Sequence, residues 1–435
     1  MREGTPTTLI KLFFVLLTFI SSIVFVRIMG ATNYGIYSHV SAIIDVLKMP
    51  VEFGLPVLVL RETATNVARK NWGMVKGVWK WASNFIIISS MIIIGLCPIA
   101  YLIFGKHFSE EYIKTFLWGI MLIPFLAFST LRGGQLKGLK KIVLSQFPEQ
   151  VLTPVLQISI IIIYGYFLAF EVNASTTMII YVISGVIAFF VGIGLLNKYT
   201  LTEIKQAEPV LQAKQWFSST LNLAGINGLN LINKRISIII VGLSVSAASV
   251  GYYKVAVQFS ILASVGLQII NAIVSPRFAA MYTRNQMPRL QKIATLSARA
   301  VLVFNLVTTL LLALLGKLIL SLAYGEEFIA AYIPILILLI GQFINSATGS
   351  VGVLLNMTGK EKHTIKGSFL ATIINLILTL SLAPKFGIIG GAIGTGASLI
   401  VQNIFLWFAV YRHLGINCSA INFPKTKYMN CAVDK

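Results

Sequence analysis

Charged residues are scarce in this sequence, and acidic ones are the scarcest. Asp, Glu, Lys and Arg together make up 11% of the 435 residues, whereas soluble globular proteins carry about 25%. Apolar residues make up 57%, and the mean hydropathy is +0.84. Because apolar stretches run from the first residues to about residue 410, the composition excludes an ordinary soluble domain and indicates a membrane-embedded chain.

Cysteine and histidine are rare as well. The three cysteines, Cys97, Cys418 and Cys431, have neither the spacing of metal ligands nor a paired pattern, so we expect neither a disulfide nor a metal site. The four histidines are scattered, and no cluster of catalytic residues accompanies them. The stretch 358–360 lacks the upstream glycine of a nucleotide-binding loop. The sequence therefore predicts a protein that is not an enzyme and that holds no cofactor.

Long apolar runs are what the sequence has in abundance. Runs such as Phe85–Ile94 and Val301–Leu315 do not alternate between polar and apolar residues, which argues against the strands of a membrane barrel and favours helices. The end of the first run, Arg27–Gly30, has no small-x-small cleavage site, so we expect this helix to be retained. We predict an all-α polytopic membrane protein with about twelve transmembrane helices of about 20 apolar residues each. The predicted spans are 9–30, 35–60, 80–104, 112–131, 143–169, 175–196, 221–245, 250–276, 296–323, 329–352, 365–384 and 387–410.

The basic residues indicate how the chain is oriented. Of the 35 Lys and Arg residues, 26 fall in the termini, alternate loops and adjoining span ends on one side of the predicted spans, and 5 fall in the loops and span ends on the other side. An excess of Lys and Arg marks the cytoplasmic side of a membrane protein. The net charge of +21 therefore indicates orientation rather than a nucleic-acid partner, and we expect both termini to be cytoplasmic. The remaining four basic residues lie inside predicted spans and were not assigned to either side: Lys48, Lys234, Arg235 and Lys254.

Four groups of residues recur in the same order about 216–221 residues further along the chain. The offset contains six predicted spans, so the two copies have the same orientation, as in transporters built from parallel repeats. We predict two six-helix halves around a central cavity, 1–196 and 221–410, with a cytoplasmic linker at 197–220 and a cytoplasmic tail at 411–435. The matching groups are Gly35-Ile36-Tyr37 with Gly251-Tyr252-Tyr253, Arg61 and Ala64 with Arg277 and Ala280, Phe104–Phe108 and Tyr112 with Tyr324–Phe328 and Tyr332, and Lys137-Gly138 with Thr358-Gly359.

Glycines at the start of the last predicted span are spaced for helix packing. Gly387 and Gly391 form one pair with three residues between them, and Gly390 and Gly394 form an overlapping pair. Small residues at this spacing let membrane helices approach closely. We therefore predict that these glycines serve packing rather than a binding site.

The second predicted span carries a polar stripe. At 100° per residue, Ser38, Ser41, Asp45, Lys48 and Glu52 fall within an arc of roughly 80°. Charges inside a membrane cost about 2.5–3.5 kcal/mol each, so they face one another or a cavity. Two interpretations stay open: Asp45 and Lys48 form a pair that serves only folding, or the stripe lines a cavity. In the second case Lys48 contacts the substrate, and Asp45 or Glu52 is a candidate for ion coupling.

The seventh predicted span gives the sharpest signal of a site. Lys234 lies roughly 20 Å along the span, near the membrane midplane, and the span contains no acidic residue. An acid from another helix, water or an anionic ligand must balance its charge. We predict that Lys234 faces the cavity and that the neighbouring Arg235, about 80° away from the polar stripe, either binds substrate beside it or pairs with another helix. The polar residues of this stripe are Asn227, Asn230, Asn233, Lys234 and Ser237, of which Asn227 and Asn230 are further candidates for substrate binding.

Three further basic residues have two possible roles each. Lys254 on the eighth predicted span lies near its outer end, where it either lines the cavity or extends to the lipid headgroups. Arg61 and Arg277 lie at cytoplasmic helix ends, where they either anchor the helices or form a gate. We retain the gate as a second interpretation because the internal repeat makes Arg61 and Arg277 equivalent.

Two segments resemble a known family. Arg27–Tyr37, followed by Glu52–Pro56 and Arg61, resembles the opening of the O-antigen and capsule flippases. These are the Wzx-type polysaccharide transporters of the multidrug/oligosaccharidyl-lipid/polysaccharide exporter (MOP) superfamily. Pro384–Ile393 is similar to that family's junction between the eleventh and twelfth helices. The resemblance covers essentially the whole chain, because twelve helices in two halves is the family architecture.

The resemblance implies a transport function. Members of this family move an undecaprenyl-diphosphate-linked oligosaccharide from the cytoplasmic to the periplasmic leaflet of the bacterial inner membrane, without hydrolysing ATP themselves. The implied pathway is the biosynthesis of O-antigen, and so of lipopolysaccharide, or of a related surface polysaccharide. The implied partners are this lipid-linked oligosaccharide, membrane lipids, and the polysaccharide polymerase with its chain-length machinery. A cavity with more cations than anions, lined with amides and hydroxyls, would replace the water around a diphosphate and its sugars.

Two other functions stay open on the sequence. A drug or small-molecule antiporter of the same superfamily would have a more aromatic cavity with a dominant acid and fewer unpaired cations. A membrane-embedded polymerase or glycosyltransferase would carry a large outer loop with catalytic Asp, Arg or His residues, whereas every predicted outer loop is short. The sequence also leaves open which sugars are carried and whether protons, another ion or no ion drives transport.

Overall fold

Helices account for almost the whole course of the chain. The computed structural model describes the backbone of residues 4–104 and 108–420, and the side chains of that part apart from residues 4–12, 99–101, 103–104, 222–227 and 230. Across these residues the structure contains no β-strand. Ten of the helices described are long and apolar enough to cross a membrane. The predicted all-α polytopic fold is therefore confirmed.

The helices are numbered in chain order, with two π-helical turns and one 3-10 turn between them. They are α1 (Gly4–Glu52), α2 (Leu55–Ala68), α3 (Trp72–Phe104), α4 (Glu110–Gly138), α5 (Ile142–Phe147), the π turn Pro148–Leu152, α6 (Thr153–Ile162), the π turn Ile163–Phe167, α7 (Ala174–Tyr199), α8 (Thr202–Gln206), α9 (Ala213–Ser244), α10 (Ala247–Thr283), α11 (Met287–Ala323), the 3-10 turn Glu326–Ala331, α12 (Tyr332–Thr348), α13 (Val351–Met357), α14 (Glu361–Phe386) and α15 (Ile388–Leu414).

The first helix contains the first two predicted spans. With 49 residues it would be about 74 Å long if it were straight, more than twice the hydrocarbon thickness of about 30 Å. Gly30 interrupts it with φ 74° and ψ 171°, a conformation that glycine adopts far more readily than other residues. The kink lies where the first predicted span ends, so α1 is long enough to contain both of the first two predicted spans.

Several helix ends differ from the ends of the predicted spans, and two of them bear on the site. The second predicted span, 35–60, stops early, because Phe53 (φ 40°) and Gly54 (φ 73°) leave the helical conformation and α2 starts after them. The fourth predicted span, 112–131, ends before the helix does, because α4 continues to Gly138. Apolar residues mark only the part of a helix inside the hydrocarbon core. The backbone hydrogen bonds continue until a turn residue such as Lys140 (φ 61°) ends them.

The chain packs into two units. Unit 1 comprises Met1–Gly242 with Ser246–Gly251, and unit 2 comprises Leu243–Val245 with Tyr252–Lys435. In unit 1, α4 packs against α1, α2, α3 and α7, and in unit 2, α15 packs against α12, α13 and α14. Unit 1 includes α9 as far as Gly242, although the sequence places this helix at the start of the second half. The halves 1–196 and 221–410 stay a prediction about the repeat.

The repeat is visible in the turns that end four helices. Lys70 and Asn285, 215 residues apart, both have a left-handed backbone, and so do Lys140 and Gly359, 219 residues apart. In all four turns the next residue donates its backbone N–H to the carbonyl five residues back, as in Asn71 to Asn66. This is the hydrogen bond of a Schellman helix end. The same turn therefore recurs at close to the offset that the sequence matches give.

Two glycines that the repeat equates, Gly35 and Gly251, meet in unit 1. A methyl group on Gly35 would overlap the carbonyl oxygen of Ala247, and a methyl group on Gly251 would lie 2.7 Å from the carbonyl oxygen of Ala31. The glycines therefore allow the start of α10 to cross α1 in close backbone contact. The sequence repeat at these positions reflects a packing requirement.

In unit 2 the predicted packing glycines fill the same role. Methyl groups on Gly390 and Gly394 would collide with Leu382 and Thr379 on α14. The predicted packing role is confirmed for these two residues. Gly387 has φ 58° and forms the turn between α14 and α15.

The segment after α15 is packed against unit 2 as far as residue 420. The backbone N–H of Asn417 donates to Oε1 of Gln291 at 2.8 Å, and its side-chain oxygen accepts a hydrogen bond from Trp407 at 3.2 Å. Cys418 is buried, and burial raises the pKa of its thiol to about 12, so the thiol stays protonated near neutral pH. The first residues of the predicted tail, 411–414, thus belong to α15, and residues 415–420 pack against unit 2. Residues 421–435 lie outside the described part.

Candidate functional site

Two ion pairs neutralise the acids of the polar stripe on α1. Nη2 of Arg235 lies 2.8 Å from Oδ2 of Asp45. Two turns further along α1, Nζ of Lys48 lies 3.3 Å from Oε1 of Glu52, which also accepts a hydrogen bond from Thr130 at 2.7 Å. The Asp45–Lys48 pair considered from the sequence is therefore replaced by two other pairs. All four charged groups belong to unit 1.

Lys234 has no such pair. Its side chain is exposed, and it makes no hydrogen bond or ion pair with any residue whose side chain the structure describes. It stands ten residues before the end of α9 at Ser244, about 15 Å along the helix. In the described part of the chain α9 is not among the ten helices that are long and apolar enough to cross a membrane, so the position of Lys234 near the membrane midplane stays a prediction. An ammonium group exposed at that depth requires water or an anion beside it.

The rest of the polar stripe on α9 is only partly described. Asn233 is half-buried and Ser237 is buried. The predicted substrate-binding residues Asn227 and Asn230 lie on the helix, but their side chains are outside the described part of the chain. Their roles stay predictions.

The other candidate residues lie apart from these pairs along the chain. Arg61 on α2 is exposed and pairs with the neighbouring Glu62 at 3.2 Å. Arg277 is exposed and Lys254 is half-buried, both on the part of α10 that belongs to unit 2. Gate and cavity roles for these three residues stay predictions.

Sequence reasoning missed a buried ion pair. Arg132 on α4 is 3% exposed and pairs with Glu149 in the π turn that follows α5. Its guanidinium also donates to the carbonyl oxygens of Ala188 and Phe189 on α7, at 3.3 and 3.1 Å. The sequence assigns Arg132 to the loop after the fourth predicted span, which is wrong because α4 continues past it. Glu149, an isolated acid beside an apolar run, was the signal that a basic partner is needed.

His39 is a second residue that the sequence did not single out. It is buried in unit 1, with Nδ1 3.0 Å from the hydroxyl of Tyr112 and Nε2 3.0 Å from the carbonyl oxygen of Ile239. A side chain on Gly242 would overlap the imidazole ring. Both ring nitrogens are thus occupied, and His39 fixes α1 against α4 and α9.

Two cavities adjoin Glu52 inside unit 1. The larger, with a volume of about 370 Å³, lies between the α1–α2 junction, α4 and the segment from α5 into the following π turn. The smaller, of about 300 Å³, lies between the end of α1 and the residues Gly228 and Leu231 of α9. Glu52 lines both cavities.

Comparison with known proteins decides the family. Residues 2–282 match the model of a family described as polysaccharide biosynthesis protein. The chain belongs to this polysaccharide biosynthesis family. Membership confirms the resemblance to polysaccharide transporters that the sequence motifs carry.

One relative of this polysaccharide biosynthesis protein is archaeal. The chain is 21% identical over 395 residues to the probable low-salt glycan biosynthesis flippase Agl15 of Haloferax volcanii, which covers 89% of this chain and 78% of that protein.

Two solved structures have the same fold. One is an inward-facing multidrug resistance MATE family transporter of the MOP superfamily, with a TM-score of 0.74, 12% identity and coverage of 91% of this chain and 94% of that one. The other is the lipid II flippase MurJ in an inward closed conformation, with a TM-score of 0.72, 15% identity and coverage of 93% and 87%. This chain therefore shares the fold of these two membrane proteins.

Gly192 and Gly194 on α7 provide a matched test of the Arg132 site in this polysaccharide biosynthesis protein. A methyl group on Gly192 would overlap the guanidinium of Arg132, whereas one on Gly194 would meet no atom within 4 Å. We expect Gly192→Ala to displace Arg132 from Glu149 and to lower the melting temperature of the purified protein. Gly194→Ala should leave it unchanged or raise it, because alanine favours a helix by about 1 kcal/mol over glycine. Equal melting temperatures would contradict this account.

Proposed function

We propose that this protein is a flippase for a lipid-linked oligosaccharide. In this proposal it moves an undecaprenyl-diphosphate-linked repeat unit from the cytoplasmic to the periplasmic leaflet of the bacterial inner membrane by alternating access. The product feeds the synthesis of O-antigen or a related surface polysaccharide, through a polymerase with its chain-length machinery. Membership of the polysaccharide biosynthesis family and similarity to a glycan biosynthesis flippase support the proposal. The proposed activity is transport and not catalysis.

The observation that carries the proposal is the charge balance around Lys234. The two acids of the α1 stripe, Asp45 and Glu52, each lie within 3.3 Å of a basic partner. Lys234 is exposed and unpaired among the described side chains. These five side chains therefore carry a net positive charge. A diphosphate is an anion whose oxygens accept strong hydrogen bonds from an ammonium group.

A multidrug antiporter is the alternative function, and the fold alone supports it. An antiporter for organic cations needs an acid that is free to attract the substrate, whereas both acids of this stripe are neutralised by Arg235 and Lys48. Saturable binding of tetraphenylphosphonium to the purified protein, abolished by Asp45→Asn, would favour the antiporter.

The proposed function is tested by deleting the gene. Lipid-linked oligosaccharide should then accumulate on the cytoplasmic leaflet, and surface polysaccharide should be lost until the gene is restored. Normal surface polysaccharide together with no accumulation of the lipid-linked intermediate would rule the function out.

The orientation in the proposal rests on the distribution of Lys and Arg and predicts where reporters will be active. Alkaline phosphatase, which is active outside, and green fluorescent protein, which fluoresces inside, are fused at successive loops. Two adjacent sites reporting the same side would contradict the twelve-helix orientation. We expect cytoplasmic signals after residues 70, 140, 205, 287, 361 and 425, and periplasmic signals near residues 32, 108, 172, 247, 326 and 386.

Asp45 and Glu52 are the proposed carriers if protons drive transport. Protonating either carboxyl would release its basic partner, Arg235 or Lys48, and so change the charge that the substrate meets. We expect Asp45→Asn or Glu52→Gln to make export independent of the proton gradient. The measurement is export from everted vesicles with and without an imposed gradient. Full export that still depends on the gradient in both variants would exclude these residues as carriers.

A further inference from the structure

We propose that the 370 Å³ cavity of unit 1 is a subsite for one sugar residue of the transported glycan, bound through its hydroxyl groups. This inference rests on the proposed function, since it assumes that the substrate carries sugars. The cavity lies within unit 1, and no residue discussed above as a phosphate contact lines it. We call it the unit 1 cavity.

Three parts of the chain build the unit 1 cavity. Glu52 lines it from the end of α1, and Thr130 from α4. Gln146, Glu149 and Gln150 line it from the third side. The π turn Pro148–Leu152 holds Glu149 and Gln150, and such turns are frequent at functional sites because they change the direction of side chains within a helix.

Two amide side chains in the unit 1 cavity have oxygens that are not satisfied. Gln146 is 8% exposed, and its Oε1 makes no hydrogen bond with any described residue. Oε1 of Gln150 is buried and unbonded in the same way. Buried polar groups in proteins are almost always hydrogen-bonded. These two oxygens therefore call for a ligand that donates hydrogen bonds.

The charges around the unit 1 cavity favour a neutral ligand over an ion. Each carboxylate of its wall already has a basic partner, Lys48 for Glu52 and Arg132 for Glu149, and Lys137 lines the wall as well. A cation would thus meet no net negative charge. An anion needs donors, whereas the two unsatisfied amide atoms that line this cavity are acceptors. Neutral hydroxyl groups meet the requirement, since each donates one hydrogen bond and accepts others.

The volume of the unit 1 cavity limits how much of a glycan it takes. Small-molecule sites have volumes of about 300–1,000 Å³, and this cavity lies near the lower limit. It therefore suits one sugar residue and not a whole oligosaccharide. Gly133 on α4 has no side chain to fill part of this space. A methyl group there would lie 3.5 Å from the backbone oxygen of Ser145, an ordinary contact.

The test measures whether sugars shield the unit 1 cavity from a thiol reagent. Gln150→Cys is made in a full-length chain in which Cys97, Cys418 and Cys431 are replaced by alanine, and the rate of modification by a methanethiosulfonate is measured on purified protein. The probes are lipid-linked oligosaccharide extracted from the deletion strain, the free oligosaccharide released from it, undecaprenyl phosphate, and sodium chloride. Lys141→Cys, on the exposed turn before α5, is the matched control.

We expect both oligosaccharide probes to slow modification at position 150 and to leave position 141 unaffected. A probe present at about ten times its dissociation constant should slow the reaction about tenfold. Shielding by undecaprenyl phosphate alone would overturn the proposal in favour of a headgroup site, and shielding by sodium chloride would overturn it in favour of a cation site. Equal rates with all probes would also overturn it.

A second variant guards against misfolding of the first. Ser129→Cys changes one atom on the α4 wall of the unit 1 cavity and should be shielded by the same two probes. The outcome is separable from that of the proposed function. If deletion causes the lipid-linked intermediate to accumulate but neither cysteine is shielded, the flippase function stands and the sugar subsite fails.

Discussion

Replacing Lys234 by alanine is expected to lower export of the lipid-linked oligosaccharide by at least about tenfold while the amount of protein in the membrane stays normal. A hydrogen bond to a charged group contributes about 1.5–3 kcal/mol, which corresponds to about 10- to 150-fold in binding. The fold should tolerate the change, because Lys234 is exposed and makes no contact of this kind with any described side chain. The measurements are surface polysaccharide in the complemented deletion strain and immunoblots of the membrane fraction.

Two further variants identify the cause of this loss. Lys234→Arg should retain part of the activity, because charge matters more here than the shape of the donor. Lys385→Ala removes the same charge from an exposed position in the last turn of α14 and should export normally. A drop in protein level for Lys234→Ala, restored by a second change at Asp45 or Glu52, would mean that Lys234 serves folding and not the substrate.

The neighbouring Arg235 should behave in the opposite way. Its removal leaves Asp45 without the partner that lies 2.8 Å away, so Arg235→Ala should reduce the amount of folded protein. A carboxylate in the membrane that has lost its counter-charge is costly. Two adjacent cations on α9 are thus expected to differ, one in transport and the other in folding.

Replacing Arg132 by methionine is expected to have the largest effect on stability of any change considered. Removing one partner of a buried ion pair costs about 3–5 kcal/mol, because the other charge is left buried without compensation. Arg132 also donates to the carbonyl oxygens of Ala188 and Phe189, and these hydrogen bonds are lost as well. The melting temperature, measured by size-exclusion chromatography with fluorescence detection after heating, should fall well below that of the parent protein.

The matched control is Arg61→Met. Arg61 also pairs with a glutamate, but its side chain is 54% exposed, and exposed ion pairs contribute about 0–1 kcal/mol. Its melting temperature should therefore stay close to that of the parent. The double variant Arg132→Met with Glu149→Leu should recover much of the stability, since it removes both charges. A melting temperature for Arg132→Met equal to that of the Arg61 control would show that the Arg132–Glu149 pair does not stabilise the fold.

The sequence predicted the candidate site in part. Rotation by 100° per residue separated Lys234 from Arg235 and allowed Arg235 a partner on another helix, and the structure supplies Asp45 as that partner. The same reasoning offered Asp45 as the partner of Lys48, which is wrong, because Lys48 pairs with Glu52. Both acids lie within about one turn of Lys48 on the same face. Which acid is left for Lys48 depends on where α9 places Arg235, and no local pattern contains that information.

Arg132 and the glycines illustrate what a local pattern misses. The end of the apolar run was read as the end of the helix, so Arg132 was counted as a loop residue, although α4 carries it into the interior. Gly192 and Gly194 look alike in the sequence, two residues apart in one helix. Only the packing of α7 against Arg132 distinguishes them, because one glycine faces the guanidinium and the other meets nothing within 4 Å.

The sequence by itself determined the all-α membrane fold and the family, because these depend on apolar length and short motifs. Tertiary structure decided which charges pair, where helices end, which glycines are needed and where the cavities lie. The physical reason is that a charge inside a membrane must be balanced by another group. The balancing group often comes from another part of the chain. Asp45 on α1 balances Arg235 on α9. Glu149, in the π turn after α5, balances Arg132 on α4.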